Sequence, residues 1–172
     1  MKRLIPFVLA LVLNAFPQAA IEPGGEGVAR EIVDGDNLVL DDGRQVRLVG
    51  IQAPKLPLGR RGFTAWPLAG EAKEALADLV LGKPVALSFG GARMDRHGRL
   101  LAHLYLEDGR WVQGELISRG MARVYSFPDN LELTDEMLAR EKRARKEGRG
   151  IWSHPFYAVR RPSETPAHIG SF

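Results

Sequence analysis

At 172 residues, 45% hydrophobic and 26% charged, the chain is long enough for one domain with a substantial core. The absence of cysteine excludes disulfides and thiol chemistry, leaves no residue for a lipoprotein anchor, and with only four scattered histidines argues against a zinc site. The formal net charge of +3 falls to +1 once Lys2 and Arg3 are set aside with the N-terminal segment, so any case for an anionic partner must rest on local clustering.

In chain order, Lys2 and Arg3 form a basic n-region and Leu4–Phe16 an apolar stretch too short for a comfortable membrane span. Ala19-Ala20 supplies small residues for cleavage. Residues 1–20 therefore read as a secretory signal peptide, which makes the remainder an exported protein, periplasmic or secreted, with no stable membrane span after cleavage. An uncleaved N-terminal anchor is the other reading. Ile21–Glu26, rich in Gly, Pro and Glu, reads as a flexible lead-in, and Gly27–Val33 as the first strand.

Asp34–Lys55, DGDNLVLDDGRQVRLVGIQAPK, is the organising stretch. Two strand-like runs, Asn37–Leu40 and Gln45–Ile51, flank Asp41-Asp42-Gly43-Arg44, whose Asp and Gly residues suit a tight hairpin turn. Asp34-Gly35-Asp36 marks a bend just before them. Alternation through Gln45–Ile51 puts Arg47, Val49 and Ile51 on one face. An arginine there fits a surface ion pair on a half-exposed strand, or an anion site that carboxylates from the neighbouring run approach.

Pro54 stops the pairing. The loop Lys55–Ala69 interleaves Arg60 and Arg61 with Phe63 and Trp66, a mixture that binds nucleic acid by charge and stacking or pins a surface loop to the core; the second reading is preferred. A helix is predicted over Glu71–Leu81, then strands over Pro84–Phe89 and Arg99–Leu106. The turn Asp95-Arg96-His97-Gly98-Arg99 leads into the last of these. A short helix over about Gln113–Arg119 follows, then an extended Met121–Tyr125 and a long helix to about Glu147 with Leu133, Met137, Leu138 and Ala144 on its buried side. Its basic C-terminal end complements the helix dipole. Residues 154–172 read as a tail, loose from Pro162 onward.

The order and spacing of Asp34-Gly35-Asp36, Val46–Pro54, Asp95–Ala102 and Gly150-Ile151-Trp152 resemble the staphylococcal nuclease (thermonuclease) family over about residues 27–153. The resemblance implies an α+β fold: a five-stranded barrel of the oligonucleotide-binding (OB-fold) type with about three helices, whose open face commonly holds nucleic acid. It also implies calcium-dependent phosphodiester hydrolysis, with two aspartates on Ca²⁺, a glutamate base and two arginines on the phosphate.

Carried over by position, Asp36 matches the first metal aspartate, with Asp34 adjacent, and Arg47 and Arg99 match the catalytic arginines. The second metal aspartate falls at Gln52, a backbone ligand at Ala53 and the base at Lys55. Gln52 removes one negative charge, on which Ca²⁺ affinity depends. A lysine, protonated at neutral pH unless strongly desolvated, is a poor base and repels a metal. Arg47, Lys55 and Arg99 would then form a metal-free anion cradle, with His97 placed to contact a base or phosphate. Glu71, Asp41 and Asp42 are the nearest carboxylates in sequence that could replace the base. The sequence thus predicts a monomeric nuclease-family protein with weak or lost hydrolysis. The alternative is a non-catalytic module of the cell envelope that binds nucleic acid or another phosphorylated ligand.

Overall fold

The computed structural model describes residues 21–158. The expected signal peptide and the part of the tail from residue 159 onward lie outside them. The elements are β1 (Glu22–Asp34), β2 (Asn37–Leu40), β3 (Gln45–Leu48), β4 (Ile51–Gln52), α1 (Ala69–Val80), β5 (Pro84–Phe89), β6 (Leu100–Leu106), α2 (Val112–Ser118), β7 (Arg123–Val124) and α3 (Thr134–Lys146), followed by two 3₁₀ turns at Gly150–Ser153 and Pro155–Tyr157.

Five strands close a barrel in the order β1-β2-β3-β6-β5, with β3 and β6 parallel and the other neighbours antiparallel. Closure depends on β1. Its first half pairs with β5 and its second half with β2, and register shifts at Pro23/Glu26, Ala29/Glu31 and Ile32/Asp34 bend it between the two. The segment expected as a flexible lead-in is therefore strand, because the barrel needs a long strand to close and Glu22–Glu26 has the β5 edge to pair with.

The interior is filled by alternating residues, among them Leu38, Leu40, Val46, Leu48, Leu87 and Leu104, each no more than 1% exposed. Each such leucine contributes about 1.5–3 kcal/mol by burial. Helix α1 closes one side of the core through Ala72, Leu76, Leu79 and Val80, and α2 adds Val112, Leu116 and Ile117. The Gln113 side chain is wholly buried in a way the sequence does not signal. Its Oε1 accepts from Leu104 N–H at 3.1 Å, and its Nε2 donates to the Ala102 carbonyl at 2.9 Å.

The run Gln45–Ile51 is not one strand. Gly50, at φ +80°, breaks it after Leu48, and a Cβ there would lie 2.4 Å from Met137 Cε. Residues 51–52 then pair with β7 instead of continuing along β3. On α3, Met137 and Ala144 are buried as expected, but Leu138 is exposed and Glu141 takes the inward position. Glu141 Oε2 accepts from Val124 N–H at 2.5 Å while Oε1 accepts from Arg145 Nε at 2.8 Å, so this carboxylate ties the helix to β7. The basic end of α3 is partly neutralised by pairs such as Arg140–Glu136 and Arg149–Glu147. Trp66 packs against Phe156, and Tyr157 Oη donates to the Pro67 carbonyl at 2.6 Å, which pins the loop before α1.

His103 on β6 is 2% exposed, its Nδ1 has no partner and its ring lies 5.6 Å from that of Trp111. Burial lowers its pKa from 6.5 to about 4. The unfolded chain takes up this proton below pH 6.5 and the folded chain does not, so stability falls as pH drops from 6.5 toward 4, by up to about 3 kcal/mol. Urea unfolding at pH 7 and pH 4.5 should show His103→Leu losing about 2–3 kcal/mol less than the parent between the two values. Equal losses would contradict this account of His103.

Candidate active site

The bend between β1 and β2 is built by its own side chains. Asp34 Oδ1 accepts from Asp36 N–H at 3.0 Å and from Asn37 Nδ2 at 2.7 Å, an Asx-type closure. Gly35 is required by crowding: a Cβ there would lie 2.7 Å from Ala53 Cβ and 2.8 Å from Ala72 Cβ. The bend leaves Asp36 fully buried and Asp34 3% exposed.

The β2–β3 hairpin turns at Gly43 and sets Asn37 opposite Arg47. Arg47 Nη1 lies 2.8 Å from Asp36 Oδ1, and its Nη2 donates to the Ile51 carbonyl at 2.8 Å. The parallel β3–β6 pairing brings the start of β6, and with it Arg99, to the same end of the barrel. Asp95 organises that turn by accepting from the N–H groups of His97 and Arg99 and from Arg99 Nε at 2.8 Å. Arg99 Nη1 then donates to Asn37 Oδ1 at 2.7 Å. Asn37 therefore bridges the two halves of the site, since its Nδ2 also donates to Asp36 Oδ1 at 2.6 Å.

Lys55 completes the cluster. Its Nζ donates to Asp36 Oδ1 at 2.9 Å and Oδ2 at 2.8 Å, and lies 3.9 Å from Asp34 Oδ2. Ala53 N–H donates to Asp36 Oδ2 at 2.6 Å. The Asp36 carboxylate thus meets a lysine, an arginine, an amide side chain and a backbone N–H. Burial raises its pKa from the ordinary carboxylate value, against the pull of Arg47 and Lys55. Burial acts the same way on Asp34, but there the Lys55 charge and the bonds from Asn37 and Asp36 outweigh it and the pKa is lowered.

A cleft of about 290 Å³ opens over this cluster, lined by Asp34, Asn37, Arg47, Lys55, Arg60 and Arg99 among others. Four cations and one carboxylate give it a net positive wall, suited to phosphate. Arg60 reaches the cleft, although its sequence setting favours structural pinning of the loop. It does both, since its guanidinium lies 3.8 Å from the Phe63 ring centroid and bonds the Leu56 and Pro57 carbonyls.

The other predicted residues sit apart. His97 is at the exposed tip of its turn, its Nε2 accepting from Arg96 Nε, and does not line the cleft. Gln52 is engaged elsewhere: its Oε1 accepts from both Nε and Nη2 of Arg123. Asp41 accepts from Val28 N–H and Asp42 pairs with Arg44, and neither they nor Glu71 line the cleft. Sequence reading alone does not single out Asn37 or Arg123. Asn37 carries a local signal, because an amide side chain directly after two aspartates in a bend can donate to both. Arg123, 71 residues from Gln52, carries none.

These donors do not fit Ca²⁺. Both oxygens of Asp36 are engaged by cationic or N–H groups, Gln52 is taken up by Arg123, and no group of three or more His, Asp or Glu side chains among the described residues converges on a cation position.

The Staphylococcal nuclease homologue family matches residues 45–154. An uncharacterized endonuclease of Escherichia coli O157:H7 is 30% identical over 157 residues, covering 89% of this chain and 91% of that protein. Endonuclease YncB of Bacillus subtilis (strain 168) is 31% identical over 134 residues, 75% of this chain and 62% of that one. The thermonuclease of Staphylococcus hyicus is 27% identical over 127 residues, 72% and 73% respectively. With the closed barrel and the arginine-carboxylate cluster at its mouth, these matches show that the chain belongs to the staphylococcal nuclease family.

Proposed function

We propose that this protein acts on nucleic acid through the cationic cleft, holding the phosphodiester backbone, and that calcium-dependent hydrolysis is weak or lost. Kinship with proteins named endonuclease and thermonuclease supports the substrate class. The observation that carries the rest is the Lys55 ammonium on both oxygens of Asp36. It puts a cation on the family's metal carboxylate and leaves no carboxylate at the family's base position. Arg99 uses three of its five N–H donors on Asp95 and Asn37, which leaves two for phosphate oxygens. Arg47 and Lys55, the latter with a 19% exposed side chain, line the same cleft. The basic n-region and apolar stretch of residues 1–20 support export to the periplasm or medium, and the domain acts as a monomer.

A non-catalytic module that binds nucleic acid or another phosphorylated ligand is the second reading, favoured by the same Lys55–Asp36 contact. Fluorescence anisotropy with labelled single-stranded DNA and RNA, in chelator, tests the shared claim. Saturable binding is expected, weakened about tenfold or more by Arg47→Ala or Arg99→Ala, as for removal of a bond to a charged group. The salt slope should shrink by roughly 0.7 for each phosphate that is no longer neutralised. Absence of binding to either polymer in chelator would refute the reading.

A further inference from the structure

We infer that Lys55 is a resident cation: its ammonium fills the position between the two bend carboxylates that a divalent ion would need, makes phosphate binding metal-independent, and keeps divalent ions out. This rests on the cleft being a phosphate site, but its test reads cation binding alone, so the two fail separately.

Lys55 is held there by its backbone as well as by its charge. Pro54 restrains Ala53 to an extended conformation, from which Ala53 N–H reaches Asp36 Oδ2, and the Lys55 carbonyl accepts from Trp66 N–H at 2.9 Å. The side chain leaves this fixed point and delivers Nζ to within hydrogen-bond range of both Asp36 oxygens and 3.9 Å from Asp34. A surface lysine loses rotamer entropy in such a contact, whereas one with a pinned backbone and a mostly buried stem gives up less.

Charge then closes the site. Asp34 and Asp36 carry two negative charges when ionised, and Arg47 and Lys55 balance them. A divalent ion would leave the cluster with an uncompensated double charge and a repelling ammonium within a few ångströms. Two of the three Lys55 N–H donors go to Asp36, and the third remains for a phosphate oxygen in the cleft that Lys55 lines. The one residue therefore supplies both the counter-charge for Asp36 and a contact to the ligand.

Removing the ammonium uncovers a paired-carboxylate site, and replacing it with a carboxylate strengthens that site. The experiment is thermal unfolding of the parent, Lys55→Arg, Lys55→Gln and Lys55→Glu in about 10 mM CaCl₂, above the 10⁻⁴–10⁻³ M range of weaker oxygen-ligand sites, against sodium chloride of equal ionic strength. The parent and Lys55→Arg should show no calcium-specific shift. Lys55→Gln and Lys55→Glu should gain one, larger in Lys55→Glu, amounting to about 3–6 °C where calcium exceeds its Kd tenfold. If either variant is unfolded without calcium, calcium-dependent recovery of its circular dichroism signal is the same gain. A calcium shift in the parent as large as in Lys55→Gln overturns the inference, and so does the absence of any calcium response in both Lys55→Gln and Lys55→Glu, folded or not.

Discussion

Gln52→Asp combined with Lys55→Glu should raise calcium-dependent DNA cleavage by about 10²–10⁴ over the parent, the range that a general base contributes. The rest of the constellation is in place: Asp36 at the bend, Arg47 beside it, and Arg99 held by Asp95 and Asn37. Neither single change suffices. Lys55→Glu alone would bind calcium with one fewer carboxylate than the double variant, and Gln52→Asp alone leaves the ammonium on Asp36, which excludes the ion. The structure adds one condition. Arg123 grips Gln52 with two nitrogens and would grip an aspartate more strongly. Adding Arg123→Gln should therefore increase the gain, and Arg99→Ala in the restored background should abolish it, as for a donor acting on charge that develops in the transition state. If the triple variant folds and stays inert with calcium, the positional carry-over from the family fails at residues 52–55.

Lys55→Ala should destabilise the protein by about 3 kcal/mol, at the low end of the 3–5 kcal/mol range for breaking a buried pair because Arg47 remains on Asp36. The loss arises chiefly from a buried carboxylate stripped of one counter-charge. Asp36→Asn with Lys55→Met also strips Arg47 of its carboxylate and sets an amide NH2 against the donors that remain, so it should cost at least as much as Lys55→Ala. Urea unfolding of the parent, Lys55→Ala and this double variant measures the difference. A Lys55→Ala variant within about 0.5 kcal/mol of the parent would show the contact to be a surface ion pair of ordinary, negligible worth.

Much of this is legible in the sequence because it is local. The Asp34-Gly35-Asp36 bend, the Asp41–Arg44 hairpin and the Asp95–Arg99 turn are each set by short-range chemistry, and those turns decide which strands become neighbours. Once they do, Asp36, Arg47 and Arg99 meet at one end of the barrel. Less legible is anything that depends on where a distant segment lands. Glu22–Glu26 looks like a linker until β5 offers it an edge. Glu141 looks like a solvated helix charge until β7 presents an unpaired N–H. Gln52 reads as a weakened metal ligand, and only the β4–β7 pairing, which sets Gln52 opposite Arg123, shows that its amide oxygen is taken up by that guanidinium. Lys55 is legible as the wrong residue for a base; that its ammonium reaches both oxygens of Asp36 depends on the path of the backbone after Pro54.

The most direct test of the central claim, that Lys55 stands in for the metal, is digestion of single-stranded DNA, duplex DNA and RNA by the unaltered protein with calcium and with chelator. The polymers should stay bound and largely intact in both, with no more than a slight difference between them. Brisk cleavage that calcium drives and chelator stops would contradict it.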